Sequence, residues 1–199
     1  MKGKVSKNKF LKVVLPALLV VAIICQAVGF QAVLAKGNVA TTSSDSISNL
    51  TDQQLQALTN PILQSYKADS SHKVWKMTDD SRLAVLANQT NIENARLQEV
   101  VKLVNSEFVE KEIISSPLAM VYAQEKDVSY GDILIDIDQT SSITSSSNSK
   151  EAYKITIGEN GVRLTGASEN AIMHGLRTIQ NLIITNDGLV YGEIVDYPN

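Results

Sequence analysis

The sequence contains a single cysteine, Cys25, and two histidines, His72 and His174, among its 199 residues. Cys25 lies in an apolar run near the N-terminus, so no disulfide can form within the rest of the chain. A structural zinc site usually takes four Cys or His ligands, and two scattered histidines do not supply them. We therefore expect no metal site and no cofactor.

The sequence also lacks the motifs of common active sites. It has no HExxH, GxSxG, Walker or GxGxxG motif. A (β/α)8 barrel takes about 250 residues, whereas removal of a 35-residue leader leaves 199 − 35 = 164. No pair of acidic residues is placed as the two carboxylates of a glycosidase are. We predict no catalytic, cofactor-binding or metal-binding residue in this chain.

The charge is distributed unevenly. Residues 1–35 hold five lysines and no acidic residue, and without them the chain has 18 − 5 = 13 basic and 21 acidic residues, a net charge of −8. Because the chain after residue 35 is this acidic, it would repel a phosphate backbone, which disfavours binding to nucleic acids. Aromatic residues make up 5% of the chain, too few for large platforms that stack on sugars or bases.

Residues 1–35 have the pattern of a signal peptide. The lysines come first, an apolar run covers residues 13–30, and Val33 and Ala35 occupy the −3 and −1 positions of a small-residue cleavage site. Pro16 interrupts the run and favours cleavage after Ala35, but the run is long enough for the alternative, a retained membrane anchor. Either way we expect an exported protein, secreted or at the cell surface. The lack of disulfides is typical of Gram-positive-like bacteria.

The remaining chain predicts a linker and N-terminal segment at residues 36–59 and one folded domain at residues 60–199. Residues 36–50 are rich in Ser and Thr, as in a flexible spacer. Thr51 is a suitable N-cap for a short helix, which Pro61 should end or restart.

A long helix and four strands are predicted next. Asn91 is the expected N-cap of the helix, whose apolar face has 4-3-4 spacing. The face consists of Leu97, Val101, Val104 and Phe108. Apolar runs predict strands at residues 72–77, 82–87, 118–123 and 132–138. Residues 140–150 have the low complexity of a mobile loop.

The last 49 residues are the most regular part of the sequence. Residues 152–157 and 162–164 predict two strands joined by a turn at residues 158–161. Ser168 is the expected N-cap of a second helix with the apolar positions Ile172, Leu176, Ile179 and Ile183. Gly175 within this helix costs roughly 1 kcal/mol against alanine, which suggests close approach to a neighbouring backbone. A final strand follows Asn186-Asp187-Gly188.

For several residues, a structural role explains the sequence better than a functional role does. Trp75 is more simply a core or edge anchor than a sugar platform, and His174 is more simply a helix-surface or packing residue than a catalyst. The acidic residues of the long helix are expected on a solvated flank: Glu107, Glu110 and Glu112. Asp132, Asp136 and Asp138 are expected on the polar face of a strand, because the glycine and glutamate of a calcium loop are missing after Asp136.

The closing segment resembles the N-terminal ancillary domain of family 20 glycoside hydrolases, the β-N-acetylhexosaminidases. The resemblance rests on "EAYKITI", "VRLTG", "AIMHGLRTIQNLI" and "GEIVDYP". The matching positions are Glu151, Tyr153, Ile155, Ile157, Gly175, Thr178, Ile179, Gln180, Asp196 and Pro198. It is specific over about 50 residues and looser over residues 72–138.

The resemblance implies an α+β domain, a mainly antiparallel sheet with two helices packed on one face, preceding a catalytic barrel. In the family an adjacent Asp-Glu pair of the barrel cleaves terminal N-acetylhexosamine with help from the substrate's acetamido group. No Asp is followed directly by Glu in this chain, which we expect to be an inactive fragment truncated before the barrel. The expected partner is the barrel of the same parent chain, which binds the glycan. The same domain in a family 84 enzyme and a stand-alone carbohydrate- or cell-wall-binding module remain alternatives.

Overall fold

The computed structural model describes residues 47–139, 143 and 150–197. In chain order, the first elements are α1 (Asp52–Gln56), β1 (Ser65–Ala68), β2 (Val74–Trp75), β3 (Arg82–Leu86), α2 (Gln89–Ile92), α3 (Ala95–Glu110) and β4 (Ala119–Ala123). A 3-10 turn (Glu125–Asp127) leads to β5 (Ile133–Ile137), β6 (Tyr153–Gly158), β7 (Gly161–Gly166), α4 (Glu169–Asn186), β8 (Leu189–Val190) and β9 (Gly192–Asp196). The predicted leader and most of the predicted loop at 140–150 lie outside the described residues.

Seven strands form one mixed sheet in the order β1-β9-β6-β7-β5-β3-β4, and β2 pairs with β8 in a small second sheet. The pairs β1–β9, β9–β6, β6–β7 and β2–β8 are antiparallel. The pairs β7–β5, β5–β3 and β3–β4 are parallel. Across the two sheets, four pairs are antiparallel and three are parallel, while the seven-stranded sheet alone has three of each kind. The parallel half of this sheet is a feature that the sequence did not predict.

The two long helices, α3 and α4, pack against the same face of the large sheet. Seven of the eight predicted apolar positions have no exposed surface: Leu97, Val101, Val104, Phe108, Ile172, Leu176 and Ile179. The eighth, Ile183, is partly buried and packs against the core. These side chains join the inward-facing residues of the strands, such as Ile135 and Leu164, in one core. Alternation along each strand explains this packing, because every second residue points to the helices.

The opposite face of the sheet is polar over β9, β6 and β7, where Lys154 and Glu193 form an ion pair at 2.6 Å. Over β3, β4 and β5 it carries a small apolar cluster of Ala84, Ala123 and Leu134. None of these outward-facing residues is aromatic.

The hairpin turn between β6 and β7 depends on Gly161. Gly158 and Gly161 face each other across the predicted turn. Gly161 has φ +92°, and a Cβ atom there would lie 2.6 Å from Asp132 O and 2.8 Å from Ser129 O. Only glycine accepts both the positive φ and the close backbone.

The predicted N-cap of the long helix is wrong by three residues. Asn94 caps α3 by accepting a hydrogen bond from Leu97 N, whereas Asn91 lies within α2. The Asn91 side chain is fully buried and binds the neighbouring strand, donating to Asp136 Oδ1 at 3.0 Å and accepting from Ile137 N at 3.1 Å. A residue engaged with a strand in this way is not available as a cap.

Two further expectations change in detail. Ile47, which composition places in the spacer, is 1% exposed and belongs to the core. The predicted last strand is divided at Tyr191, so that β8 pairs with β2 while β9 enters the large sheet between β1 and β6.

Thr51 and Ser168 cap α1 and α4 as predicted. Within the described residues, no helix is long and apolar enough to span a membrane.

Candidate functional site

A pocket opens beside the last strand, between residues 59–64 and the outer side of α4. Its volume is about 320 Å³, and its lining includes Ile62, Tyr153, His174, Arg177, Asn181 and Asp196. We call it the β9 pocket, because Asp196 ends β9 and Tyr197 also lines it. Concave sites where distant segments meet are the default places for binding, so this pocket is the candidate functional site.

A hydrogen-bond network centred on Tyr153 forms one wall of the β9 pocket. The Tyr153 hydroxyl lies 2.6 Å from Thr178 Oγ1 and donates to Asp196 Oδ2 at 2.9 Å. Asp196 Oδ1 accepts from Gln64 N at 3.1 Å. Burial, together with the Asp196 charge, raises the pKa of the Tyr153 phenol far above its usual range, so the phenol stays protonated. The network thus joins α4, β6, β9 and the 59–64 segment.

Arg177 forms a second part of the wall and is held by α3. Its Nε donates to Glu107 Oε2 at 3.2 Å and its Nη2 donates to Glu107 Oε1 at 2.6 Å. The hydrogen bonds from Arg177 lower the pKa of the Glu107 carboxyl against the opposing effect of partial burial. Glu107 therefore remains a charged acceptor that fixes Arg177.

The side chains of Tyr153, Asp196 and Arg177 are better suited to binding than to hydrolysis. The usual mechanism of glycosidic-bond cleavage takes a protonated carboxylic acid and a second carboxylate that flank the bond. Two carboxylates, Glu151 and Asp196, line the β9 pocket. Asp196 already accepts two hydrogen bonds from the protein itself, and Tyr153 keeps its proton. Across the residues that the structure describes, no group of three or more His, Cys, Asp or Glu could hold a metal ion.

The sequence interpretation of Trp75 as a core anchor is confirmed. Trp75 has no exposed surface, and its Nε1 donates to Tyr130 O at 2.6 Å. His174 is exposed on α4, as predicted for a helix-surface residue, and it also lines the β9 pocket. His72 lies in a turn with φ +48° and does not line this pocket.

Of the three aspartates predicted on the polar face of a strand, Asp136 lies in β5, while Asp132 and Asp138 lie just before and just after it. Asp132 and Asp136 are buried, and Asp138 is partly exposed. Asp132 is 1% exposed and accepts from Arg82 Nε at 2.8 Å and Nη2 at 2.6 Å. Burial alone would raise the pKa of the Asp132 carboxyl, but hydrogen bonds from Arg82 and Ser129 outweigh it and hold the pKa below its usual range. Asp136, 6% exposed, is paired with Arg163 at 3.3 Å. Glu110 and Glu112 are exposed, as predicted, but Glu107 is not on a solvated flank, because it pairs with Arg177 and its side chain is only 17% exposed.

The motif positions in the closing segment converge in space. Tyr153, Thr178 and Asp196 form the network described above. Gly175 faces the sheet, where a Cβ atom would lie 2.3 Å from Leu164 Cδ1, so the close approach predicted from this glycine involves sheet side chains and not a backbone. Gln180 is fully buried and donates to Val104 O at 3.1 Å. These positions therefore have structural roles.

Sequence reasoning missed Ile62 and Arg177 as pocket residues. Ile62 is preceded by Pro61 in a polar stretch, which is a weak signal for an exposed apolar side chain. The pairing of Arg177 with Glu107 joins two helices 70 residues apart in sequence, and periodicity within one helix carries no information on such a pair.

Comparison with known proteins supports the resemblance. The model of glycosyl hydrolase family 20, domain 2, matches residues 56–197. No curated protein matches significantly. The chitobiase of Flavobacterium johnsoniae shares the fold with a TM-score of 0.51 and 15% identity, over 70% of this chain and 20% of that one. For the N-acetyl-β-hexosaminidase of Streptomyces plicatus, the TM-score is 0.51 and the identity 14%, over 75% of this chain and 28% of that one.

This chain thus spans between a fifth and about a quarter of the length of those two proteins. The structural likeness shows a common fold, and the family model covers well over half of the sequence. The chain belongs to glycosyl hydrolase family 20 and carries domain 2 of that family.

Proposed function

We propose that this chain is the non-catalytic N-terminal domain of an exported β-N-acetylhexosaminidase. The parent enzyme removes terminal N-acetylhexosamine residues from glycans by substrate-assisted catalysis in a separate barrel. The domain described above packs against that barrel and binds no glycan itself.

The observation that carries this proposal is the family match over residues 56–197, which assigns the sequence to domain 2 of a larger family of glycosyl hydrolases. The roles of the motif residues agree with it. Tyr153, Thr178 and Asp196 bind one another, and Gln180 binds a backbone carbonyl of α3. The solved relatives named above include a chitobiase and an N-acetyl-β-hexosaminidase, which indicates the substrate class.

A stand-alone carbohydrate-binding module is disfavoured by the position of the aromatic residues. Such modules stack exposed aromatic rings on sugars, whereas Trp75 is fully buried. Two tyrosines line the β9 pocket, but Tyr153 is only 2% exposed and Tyr197 is partly buried. The more exposed Tyr122 and Tyr130 lie on β4 and in the segment before β5, outside the pocket.

Hydrolysis of a chromogenic N-acetyl-β-glucosaminide tests the proposal. The parent protein should release the chromophore, and substitution of the Glu in an Asp-Glu pair of its barrel by Gln should abolish release. This chain alone should release none. Release by this chain, or an inactive parent protein, would contradict the proposal.

A further inference from the structure

The strand β4 lies at one end of the large sheet, so that one of its two edges has no neighbour among the described strands. We call this side of the strand the β4 edge. Residues 115–123 contain no charged side chain, and Ala119 and Tyr122 are exposed. A free strand edge is a template for pairing with another chain, which proteins usually prevent with charges, bulges or a covering segment. The β4 edge is therefore a candidate interaction surface.

The strand at the other end of the same sheet, β1, is protected in these usual ways. Asp52 of α1 accepts a hydrogen bond from Ala68 N at 3.0 Å through its Oδ1 atom, which occupies a donor of the strand. Lys67 places an exposed charge in the middle of β1. The domain thus blocks pairing at one end of its sheet and leaves it open at the other.

The backbone groups that point out of the sheet at the β4 edge belong to alternate residues. Ala123 O accepts from Ala87 N at 2.9 Å, so the backbone of Ala123 points towards β3. Consecutive residues of a strand direct their N–H and C=O groups to opposite sides. The groups of Met120 and Tyr122 therefore point away from β3, to the free side.

Leu118 points the same way, but α3 already satisfies it. The buried side chain of Asn105 accepts from Leu118 N at 3.0 Å and donates to Leu118 O at 2.8 Å. No hydrogen bond of this kind reaches Met120 or Tyr122 from the rest of the described chain. The β4 edge thus offers two N–H and two C=O groups to a partner strand.

A second copy of β4, running antiparallel, satisfies all four groups. When the two-fold axis passes beside Val121, Met120 of each copy lies opposite Tyr122 of the other, and each such pair exchanges two hydrogen bonds. Val121 then faces its own counterpart at a position where side chains approach most closely. Such a contact is isologous, because the same edge supplies both halves of the interface.

The side chains beside this axis are also self-complementary. Val121 packs against the small apolar cluster on the outer face of the sheet, and Met120 packs against the main core on the other face. Pairing would extend the outer cluster across the axis and would place Met120 against the exposed ring of Tyr122. Because residues 115–123 are uncharged, no like charges meet along the paired strands.

We propose that the β4 edge joins two copies of this chain into a two-fold symmetric dimer, in which the two β4 strands pair antiparallel and the two large sheets become continuous. The strand contributes five residues a side, against about 20–30 in an interface of standard size. The dimer is therefore weak and forms at high protein concentration. This inference goes beyond the proposed function and does not depend on it.

Formation of a disulfide between two copies tests the register. In a Cys25→Ser background, Val121→Cys places two thiols across the axis, where the Cα atoms are about 4.5 Å apart, within the span of a disulfide. We expect an added oxidant to link this variant into a covalent dimer. Ala119→Cys is the matched control, because Ala119 is more exposed but lies four residues, about 14 Å, along the pair from its counterpart. Its cross-linking should be about tenfold slower or less.

Sedimentation equilibrium of the chain without added cysteine tests the reversible association. Val121→Lys sets two like charges opposite each other and should weaken self-association by about tenfold or more. Thr156→Lys is the control, because Thr156 is exposed on β6 in the middle of the same sheet. It should leave the association unchanged. All variants keep residues 1–46, so any association through the apolar run at residues 13–30 is common to them.

The emission of the buried Trp75 shows whether each variant is folded, and Tyr122→Lys replaces Val121→Lys if that variant is not. Faster cross-linking of Val121→Cys than of Ala119→Cys, with dissociation by the lysine at the edge, supports the proposal. Equal cross-linking of the two cysteine variants would overturn it. Self-association of the edge lysine variant as strong as that of the wild type would overturn it as well.

Discussion

The Tyr153 hydroxyl donates a hydrogen bond to Asp196 Oδ2 at 2.9 Å, and so joins the first strand of the hairpin to the end of the last strand. Both residues belong to the motif by which the chain resembles its family. Thr178 of α4 completes the contact on the other side of the hydroxyl. The motif residues thus fix the end of β9 against the domain.

Tyr153→Phe should destabilise the domain by about 1–2 kcal/mol, because it leaves Asp196 and Thr178 without their shared partner in a nearly buried site. Tyr122→Phe is the matched control, since Tyr122 is 47% exposed on the edge strand. Its effect should stay within about 0.5 kcal/mol. Urea unfolding measures both values, and equal midpoints for the two variants would contradict the assigned role of Tyr153.

Two glycines of one turn should respond differently to the same substitution. Gly161→Ala should cost about 2 kcal/mol or more, because a left-handed backbone is strained with a side chain and the new Cβ would meet Asp132 O at 2.6 Å. Gly158→Ala should have little effect, because no atom lies within 4 Å of a Cβ at that position. Thermal unfolding of the two variants checks this. A loss at Gly158 as large as that at Gly161 would refute the turn geometry.

Asp132→Asn should destabilise the domain by about 2–3 kcal/mol at neutral pH, because it removes a buried charge from its ionic partner. Glu193→Gln is the control in the more exposed pair with Lys154, where about 1 kcal/mol or less is expected. Chemical unfolding at pH 7 provides the comparison.

The same variant has a predicted pH dependence. The folded-state pKa of Asp132 lies below its unfolded value, so the carboxylate contributes its full stabilisation above about pH 4, the ordinary pKa of an Asp side chain. That contribution is lost as the pH falls through the folded-state pKa. The stability difference between wild type and Asp132→Asn should therefore shrink at acid pH, and a difference that stays constant down to the acid transition would contradict this assignment.

Trp75 gives a spectroscopic test of burial, because it is the only tryptophan in the chain. A side chain with no exposed surface should show blue-shifted emission and weak quenching by iodide. Addition of N-acetylglucosamine oligosaccharides should leave the emission unchanged. Strong iodide quenching, or a saturable change on addition of sugar, would instead support the interpretation of Trp75 as a sugar platform.

The sequence predicts most local elements of this domain because their signals are local, although it did not predict β1. The apolar faces of α3 and α4 follow helical spacing, and the 158–161 turn contains the glycine that its geometry requires. The order of the strands in the sheet cannot be predicted in the same way. The parallel pairing of β3, β4 and β5 depends on where distant strands meet, and the sequence of a short apolar run does not indicate which strand lies beside it.

The candidate site is predictable only in part, for the same reason. Resemblance singles out Tyr153, Thr178 and Asp196 individually, but their mutual hydrogen bonds link positions up to 43 residues apart. Asn91 shows how a local rule fails, because its amide binds β5 and leaves the capping role to Asn94. The β9 pocket combines residues 59–64 with α4, and nothing in either segment alone indicates the other.

The central claim is that this domain binds a partner domain and no glycan. Its most direct test is an NMR titration of the isotope-labelled chain with N-acetylglucosamine and its β-1,4-linked disaccharide. We predict no saturable chemical-shift change at any amide, including those of the β9 pocket around Ile62 and Arg177. Saturable shifts at those amides would show that the domain binds the glycan itself and would contradict the account.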